Sequence, residues 1–346
     1  MIKVKITTNT PYWPIERQLK NQDRMLGKFK FVVNKNDPEC DFWIIAGGLE
    51  KAENCRCLKE NIFFITTEPP DIHQYNKDFL TQFHTIVTCD RNINHQNPIY
   101  TQPGLQWMIG ASINHEKLKL ITAGSKHHNI NNVWNNFMSH EALNSTPINK
   151  TKLLSIVASK KQITAGHKKR NQLIDALKHE LNDKFDVFGI GYSPMKDKWD
   201  AIAPYKYHLA IENSQINDYW TEKIADAYLG EALPIYSGCP NIESYFEPDS
   251  LINIDYNKTD KALNIILGAI EQDIYQTRKE SIINAKRKVL NEYNFFPYFS
   301  NLLLYNSAPN REQHKLIEIK PEDTFHKKSI FKKIATKFKA SQNAQK

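Results

Sequence analysis

Several features that would quickly assign this chain to a class of protein are missing from its sequence. No apolar run approaches the ~18 consecutive residues that a membrane-spanning helix requires. The N-terminus alternates apolar and charged residues over Met1–Ile6 and lacks the continuous apolar stretch of a secretory signal peptide. These absences argue against an integral membrane protein and lead us to expect a cytoplasmic one.

Cysteine is also scarce. An odd and sparse set argues against a disulfide framework. Cys55 and Cys57 are too close together for an ordinary zinc-binding pair, and no second pair follows them. We therefore expect all the cysteines to be reduced, as structural or incidental thiols. The five are Cys40, Cys55, Cys57, Cys89 and Cys239.

The body of the chain has little net charge, although the formal net charge of the whole chain is +8. Seven of those charges are lysines between His326 and Lys346, where no acid occurs, so residues 1–325 carry only +1. A nucleic-acid-binding protein more often carries its basic surface on the folded body. The location of the charge therefore argues against nucleic acid as a partner.

What the sequence contains is a repeated strand–helix pattern in both halves. At 346 residues the chain exceeds the usual size of a single core, so two domains are expected. Strands with consecutive apolar residues, such as Phe42–Ala46, are typical of parallel sheets covered on both faces. The strands predicted in the first half are Ile2–Thr7, Phe29–Val33, Phe42–Ala46, Ile62–Thr66 and Thr85–Cys89.

The second half repeats the pattern after a segment rich in Asn and Ser. Helices are predicted over His167–Leu181 and Tyr219–Leu229, and a long helical region over Lys258–Glu292. The strands predicted here are Leu153–Ala158, Phe185–Phe188, Tyr207–Ile211, Leu233–Tyr236 and Leu251–Ile254. The pattern predicts an α/β protein with domains at residues 1–148 and 149–305, followed by a tail at 306–346.

The most informative segment covers residues 205–240. An apolar strand ends in the polar cluster Glu212–Ser214, and a helix begins near Thr221, a residue suited to capping it. Ligands bind doubly wound sheets at the carboxyl ends of strands, and helix N-termini favour anions. Lys223 adds positive charge there, and Glu222 can accept bonds from sugar hydroxyls. The spacing predicts a diphosphate site, but it fits a buried strand–turn–helix unit without a ligand about equally well.

Three strings in this segment resemble the donor-binding signature of the alpha-1,3/1,4-fucosyltransferases, glycosyltransferase family 10. They are YKYHLAIENS from Tyr205, YWTEK from Tyr219 and ALPIYSGCP from Ala232. The family pattern is approximately YKFxLxFENS, YxTEK and AxxPVYxG. The resemblance implies a GT-B fold, with two Rossmann-like doubly wound domains facing a central cleft. It also implies GDP-fucose as the donor, inversion at the anomeric carbon, and neither a metal nor another cofactor.

The resemblance extends upstream, where Lys152–Ser159 and His167–Asn171 resemble the family's strand and its helix-borne arginine. By this match Arg170 contacts the diphosphate, since a guanidinium binds phosphate oxygens in pairs. Lys160 stands where the family usually has Asn, and Phe185–Gly189 resembles the family's DVFG strand end. The donor-binding residues implied by the resemblance are Ser159, Arg170, Glu212, Asn213, Ser214, Tyr219, Thr221, Glu222 and Lys223.

The catalytic base implied by the resemblance lies in the other half of the chain. Phe64–Pro70 resembles the family's strand that ends in Glu-Ser-Pro, and its glutamate is Glu68. Pro69 replaces the usual Ser, which weakens the match but keeps the carboxylate. The alternative is an ordinary solvent-facing glutamate before a proline turn. The first domain would accordingly bind the acceptor and the second the donor.

The basic tail has its own pattern. Ile330, Ile334 and Phe338 recur every four residues with lysines between them. A helix with this stripe would suit an anionic membrane surface, so a peripheral position on the inner face of the cytoplasmic membrane is one expectation. A disordered lysine-rich end is equally compatible with the composition.

The function expected from these observations is an alpha-1,3-fucosyltransferase. It would act on a hydroxyl of an N-acetylglucosamine- or glucose-containing surface glycan. One alternative keeps the fold and uses another nucleotide sugar, such as GDP-mannose. A further alternative is a non-catalytic protein that binds glycans or nucleic acid, the latter suggested only by the sequence pI of about 9.0.

Overall fold

The computed structural model of the protein describes residues 1–20, 24–114, 134–160, 165–306 and 311–325. The chain divides into two compact units. The first contains Met1–Pro11, Arg24–Pro103 and Asn301–Lys346, and the second contains Tyr12–Asp23 and Gly104–Ser300. Each unit is built on its own parallel sheet, so the predicted α/β class is confirmed for both.

The sheet of the first unit has seven strands in the order β2-β3-β1-β4-β6-β7-β8, parallel except for the short β2. Every residue of the central strands β4 and β6 is buried, as their unbroken apolar sequences predict. The strands are β1 Ile2–Thr8, β2 Met25–Leu26, β3 Phe29–Val33, β4 Phe42–Ala46, β6 Ile62–Ile65, β7 Thr85–Thr88 and β8 Pro98–Tyr100.

A second, two-stranded sheet in the first unit joins distant parts of the chain. Strand β5 (Glu53–Cys57) pairs in antiparallel fashion with β16 (Lys315–Ile319). Cys55 and Cys57 point into the core, and Cys40 lies beside them with 3.4 Å between its sulfur and that of Cys55. All five cysteines are buried and unbridged, as expected of structural thiols.

The sheet of the second unit has five parallel strands in the order β12-β11-β13-β14-β15. This is the 2-1-3-4-5 order of doubly wound folds, whose ligands bind where the strand order reverses. Here the reversal lies between β11 and β13. The strands are β11 Lys152–Val157, β12 Phe185–Phe188, β13 Tyr205–Ile211, β14 Leu233–Ser237 and β15 Ile252–Asn253, with β9 Ala111–Ile113 and β10 Trp134–Phe137 forming a separate pair.

The helices are mostly short and lie between the strands. Their bounds are Lys77–Leu80, His140–Ser145, Ala165–Leu181, Lys198–Ile202, Glu222–Leu229, Thr259–Glu271, Ile274–Thr277, Lys279–Asn291 and Phe295–Asn306. The predicted helical region Lys258–Glu292 is three helices, because the backbone turns at Asp273, whose φ is +44°. No helix in the described ranges is long and apolar enough to cross a membrane.

The compact units divide the chain differently from the predicted boundaries. The first break falls after Pro103 rather than near residue 148, and the described residues 104–114 and 134–148 belong to the second unit. One reason is that the Met108 amide donates to Asp226 at 2.9 Å and the Gly110 amide to Asp197 at 2.8 Å. The buried Arg17 joins its own segment to the same unit by donating to carbonyls of residues 107, 109 and 110 at 2.6 to 3.1 Å. Nothing in the local pattern of residues 104–148 indicates these contacts.

The predicted tail also differs from the structure in its first part. Residues 311–325 belong to the first unit and include β16. Arg311 binds both oxygens of the buried Asp41 at 2.7 Å, and Phe325 packs against Phe79. The predicted membrane-binding segment, residues 326–346, lies outside the described residues.

Candidate functional site

The loop between β13 and the helix Glu222–Leu229 is closed by a single carboxylate. Glu212 follows β13 directly, is 3% exposed, and accepts bonds from the Thr221 amide at 2.8 Å and the Thr221 hydroxyl at 2.7 Å. The Thr221 hydroxyl in turn accepts a bond from the Lys223 amide, which confirms Thr221 as the helix cap. Glu212 and Thr221 therefore build the site rather than present free oxygens to a ligand.

The room for Glu212 depends on a glycine. A Cβ on Gly238 would lie 2.4 Å from the Glu212 Cγ and 2.4 Å from the Tyr236 hydroxyl. The Glu212 amide also donates to the Ser237 carbonyl at 2.9 Å, so the end of β13 is held against the end of β14. Any larger residue at position 238 would displace the carboxylate that closes the loop.

Two lysines share the carboxylates at the start of the helix. Lys223 Nζ lies 3.2 Å from Glu212 Oε2 and 3.7 Å from Glu222 Oε1. Lys198 Nζ lies 3.7 Å from the same Glu222 oxygen and 2.9 Å from Asp226 Oδ2. The predicted phosphate ligand Lys223 is thus already engaged by carboxylates.

These contacts set the ionisation of the site. Burial opposes the charged form of Glu222, but Lys223 and Lys198 on either side lower its pKa to about 2. Burial raises the pKa of Glu212 and of Asp226, and this effect exceeds the opposing influence of Lys223 and Lys198 respectively. Glu222 is therefore an ionised acceptor at every physiological pH.

Arg170 differs from these lysines in having no carboxylate partner among the described residues. It is half-buried on the helix Ala165–Leu181, and its Nη2 donates to the Ser159 carbonyl at 2.9 Å. Its Nε is buried and has no hydrogen-bond partner in the described ranges. Burial lowers the pKa of Arg170, and Tyr192 and Tyr256 oppose this shift. A buried guanidinium with an unused donor is suited to an anionic ligand.

The topology places these residues along one edge of the sheet. Ser159, with Arg170 bonded to it, follows the carboxyl end of β11, and Glu212 follows that of β13. The strand order reverses between these two strands, which is where doubly wound sheets bind ligands. The topology therefore places Ser159 and Glu212 at the carboxyl ends of the two strands that flank this reversal.

The other predicted donor-binding residues differ in accessibility. Asn213 is exposed and can reach a ligand, whereas Ser214 and Tyr219 are buried. Tyr219 is 2% exposed beside Trp220, which packs edge-on against Tyr245. Direct ligand contact is thus easier for Asn213 than for the two buried side chains.

Glu68 lies in the first unit, where it is exposed at the carboxyl side of β6. It lines a cavity of about 440 Å³ whose wall is polar and apolar in similar parts. The loop beyond it is held by Glu322, which accepts from the Asn76 amide at 2.5 Å and contacts His73 Nε2 at 2.9 Å. The lining residues include Thr66, Glu68, Asp71, Gln74, Lys77 and Asp90. Hydrogen-bonding groups of this kind suit a polyhydroxylated ligand.

Sequence reasoning missed Lys198, Asp226 and Glu322. Asp226 could have been found, because it is an acid on the otherwise apolar buried face of the helix EKIADAYL. Lys198 and Glu322 give no such signal, since each lies in a polar stretch and gains its role only from distant residues. Within the described ranges, no group of three or more His, Cys, Asp or Glu residues could hold a metal ion.

Comparison with known protein families gives a match that includes the segment 205–240. Residues 147–279 match the family model of glycosyltransferase family 10 (fucosyltransferase), C-terminal region. They include every predicted donor-binding residue but not Glu68. Residues 147–279 are therefore similar to the C-terminal region of glycosyltransferase family 10, as the sequence resemblance predicts.

Individual relatives also match only part of the chain. An alpha-(1,3)-fucosyltransferase of Helicobacter pylori is 40% identical over 78 residues, which are 22% of this chain and 16% of the relative. A 3-galactosyl-N-acetylglucosaminide 4-alpha-L-fucosyltransferase of Pan troglodytes is 28% identical over 145 residues, 40% of this chain and 37% of the relative. The match thus spans well under half the length of these curated relatives.

A solved structure of an alpha1,3-fucosyltransferase with GDP can be superposed on the chain with a TM-score of 0.46. It is 19% identical, and the superposition covers 85% of this chain and 93% of that one.

Proposed function

We propose that the protein is an inverting glycosyltransferase that moves L-fucose from GDP-fucose to a glycan hydroxyl, as an alpha-1,3-fucosyltransferase. The acceptor would be an N-acetylglucosamine- or glucose-containing surface glycan. One observation carries the proposal: the family 10 match covers the edge of the second sheet where Arg170, Glu222 and Lys223 lie. Topology and family resemblance thus both support a donor site at this edge.

In this mechanism the second unit stabilises the leaving diphosphate. Negative charge grows on the diphosphate as the bond to the anomeric carbon breaks. Arg170 supplies a guanidinium without a carboxylate partner among the described residues, and Lys223 supplies a second cation. Glu222 accepts hydrogen bonds from sugar hydroxyls, and Asn213 can accept such bonds or donate them. Because the resembled family lacks the DxD metal motif, we propose that these cations act without a metal ion.

The first unit supplies the base. An acceptor hydroxyl has a pKa far above neutrality, so a carboxylate must take its proton as it attacks the anomeric carbon. Glu68 is the carboxylate assigned to this step, and it lies on the wall of a cavity in its own unit that also presents hydrogen-bonding side chains. The acceptor would use the hydrogen-bonding groups of that cavity for orientation.

The test is transfer from GDP-fucose to a panel of N-acetyllactosamine-type acceptors, followed by product mass spectrometry. Glu68→Gln should reduce kcat at least ~100-fold, the usual contribution of a general base, while GDP affinity stays unchanged. Glu60→Gln is the matched control, because Glu60 is an exposed glutamate on the amino side of the same strand. Transfer only from another donor such as GDP-mannose would refute the donor assignment. Wild-type turnover by Glu68→Gln would show that Glu68 is not the catalytic base.

We also propose that residues 326–346 bind the anionic inner face of the cytoplasmic membrane. The proposal depends on the seven lysines and the apolar positions Ile330, Ile334 and Phe338 in the sequence. Deletion of these residues should abolish sedimentation with phosphatidylserine vesicles and leave transfer to a soluble acceptor intact. Equal vesicle binding by the shortened chain would exclude this segment as the anchor.

A further inference from the structure

Five charged side chains of alternating sign form a row from the candidate donor site into the core of the second unit. The row is Glu212, Lys223, Glu222, Lys198 and Asp226. The successive nitrogen–oxygen distances are 3.2, 3.7, 3.7 and 2.9 Å. Lys223 and Glu222 are donor-binding residues in the proposed function, whereas Lys198 and Asp226 lie behind them.

The inner end of the row is fixed. Asp226 has no exposed surface, and its two oxygens are committed to different partners. One accepts from the Met108 amide at 2.9 Å, and the other accepts from Lys198 Nζ at 2.9 Å. A carboxylate bonded to main chain on one side holds the ammonium on its other side in a defined place.

The backbone of Lys198 is fixed as well. Asp197 caps the helix Lys198–Ile202 by accepting from the Trp199 amide at 2.8 Å. The same Asp197 oxygen accepts from the Gly110 amide at 2.8 Å. Because the side chain is held at its ammonium and its backbone at the cap, Lys198 has little freedom to leave Glu222.

Lys198 also determines the charge that a ligand meets. The row holds three carboxylates and two ammonium groups, so its formal charge is −1. Without Lys198 the formal charge becomes −2, and Lys223 becomes the one lysine of the row beside Glu222. A diphosphate would then meet more negative charge and a more strongly engaged lysine.

We propose that Lys198 is a positioning residue of the donor site. Held by Asp226, it neutralises Glu222 and thereby leaves Lys223 available to the diphosphate. The inference rests on the proposed function, since it takes the donor to be a nucleoside diphosphate sugar. Lys198 itself need not touch the donor, because it acts through Glu222.

The test compares stability with GDP affinity. Lys198→Met removes the charge at similar length, but it also leaves Asp226 buried without its cation, which can prevent folding. The double variant Lys198→Met/Asp226→Asn removes both charges of this pair and retains an oxygen for the Met108 amide. We expect its Tm to return close to that of the wild type. The formal charge of the row is again −1, but Glu222 has lost one of its two lysines and competes with the diphosphate for Lys223. The Kd for GDP should therefore stay raised about tenfold, as for a coupled charge in a partly buried site.

Lys196→Met is the control, since Lys196 is exposed two residues away, and it should leave both quantities unchanged. Calorimetry with GDP then separates the outcomes. A double variant with wild-type Kd and wild-type Tm shows that Lys198 is only structural and overturns this inference alone. A wild-type protein that does not bind GDP overturns the inference together with the proposed donor.

Discussion

Replacing Arg170 with methionine tests whether this side chain is a ligand for the donor or part of the frame. Its guanidinium is half-buried, donates one bond to the Ser159 carbonyl, and leaves a buried Nε without a partner in the described ranges. A residue retained for stability would be expected to use its buried donors. The unused donor therefore predicts that Arg170→Met damages binding far more than folding.

The two magnitudes follow from the contacts. Loss of the Ser159 bond costs about 1 kcal/mol, and removal of a desolvated cation with an unsatisfied donor offsets a cost of similar size. The free energy of unfolding should thus change by no more than about 1 kcal/mol. Loss of a charge-assisted pair of bonds to the diphosphate costs about 3 kcal/mol, which raises the Kd for GDP roughly 150-fold.

Calorimetry with GDP and urea unfolding of the same preparations measure both quantities. Arg170→Lys should lie between the wild type and Arg170→Met in affinity, because it keeps the charge but loses the planar fork. Lys169→Met is the control on the exposed side of the same helix and should change neither value. An unchanged Kd in Arg170→Met, or a loss of stability of several kcal/mol, would contradict the assignment.

Two further predictions concern the frame around the site. Gly238→Ala should destabilise the protein by about 1–3 kcal/mol in urea unfolding, because its Cβ would meet Glu212 Cγ at 2.4 Å, whereas Gly268→Ala, with nothing within 4 Å, should be neutral or stabilising. Burial lowers the pKa of His208 to about 3, and Lys198 and Lys150 add to the shift. As the pH falls, His208 therefore stays neutral in the folded protein but takes up a proton in the unfolded protein. Stability is therefore lost as the pH falls, by about 2 kcal/mol between pH 7 and about pH 5, and His208→Asn should lose less over the same range. Equal losses in both proteins would show that His208 does not titrate on unfolding.

The strands that position the candidate site could be predicted from the sequence because their signals are local. An unbroken apolar run such as Phe42–Ala46 needs no partner to be interpreted, and the structure places all five residues in the core. Thr221 was likewise predictable as a cap, since a capping residue acts on amides within the next turn. Both signals depend on a few adjacent residues, and so they can be recognised without knowledge of tertiary contacts.

The remaining features depend on contacts between residues that are distant in sequence. Strand β16 (Lys315–Ile319) pairs with Glu53–Cys57, about 260 residues earlier in the chain. The alternation of apolar and polar residues does not by itself specify such a partner. The break at Pro103 is explained in part by Asp197 and Asp226, whose neighbours in sequence reveal nothing about the distant amides that they accept from. Partners chosen by tertiary packing cannot be read from periodicity.

The motif around Glu212 serves the local fold and, in the proposed function, donor binding. The spacing of its residues cannot separate these two roles. Glu212 precedes Thr221 by nine residues, and its carboxylate closes the intervening loop with both the amide and the hydroxyl of that threonine. These two identities are therefore needed for the strand–loop–helix unit before any ligand binds. Only side chains with bonding capacity left over, such as the Arg170 Nε and the exposed Asn213, can distinguish a donor site from a bare structural unit. For this reason the affinity of Arg170 variants tests the proposed function more directly than substitutions in the most recognisable part of the motif.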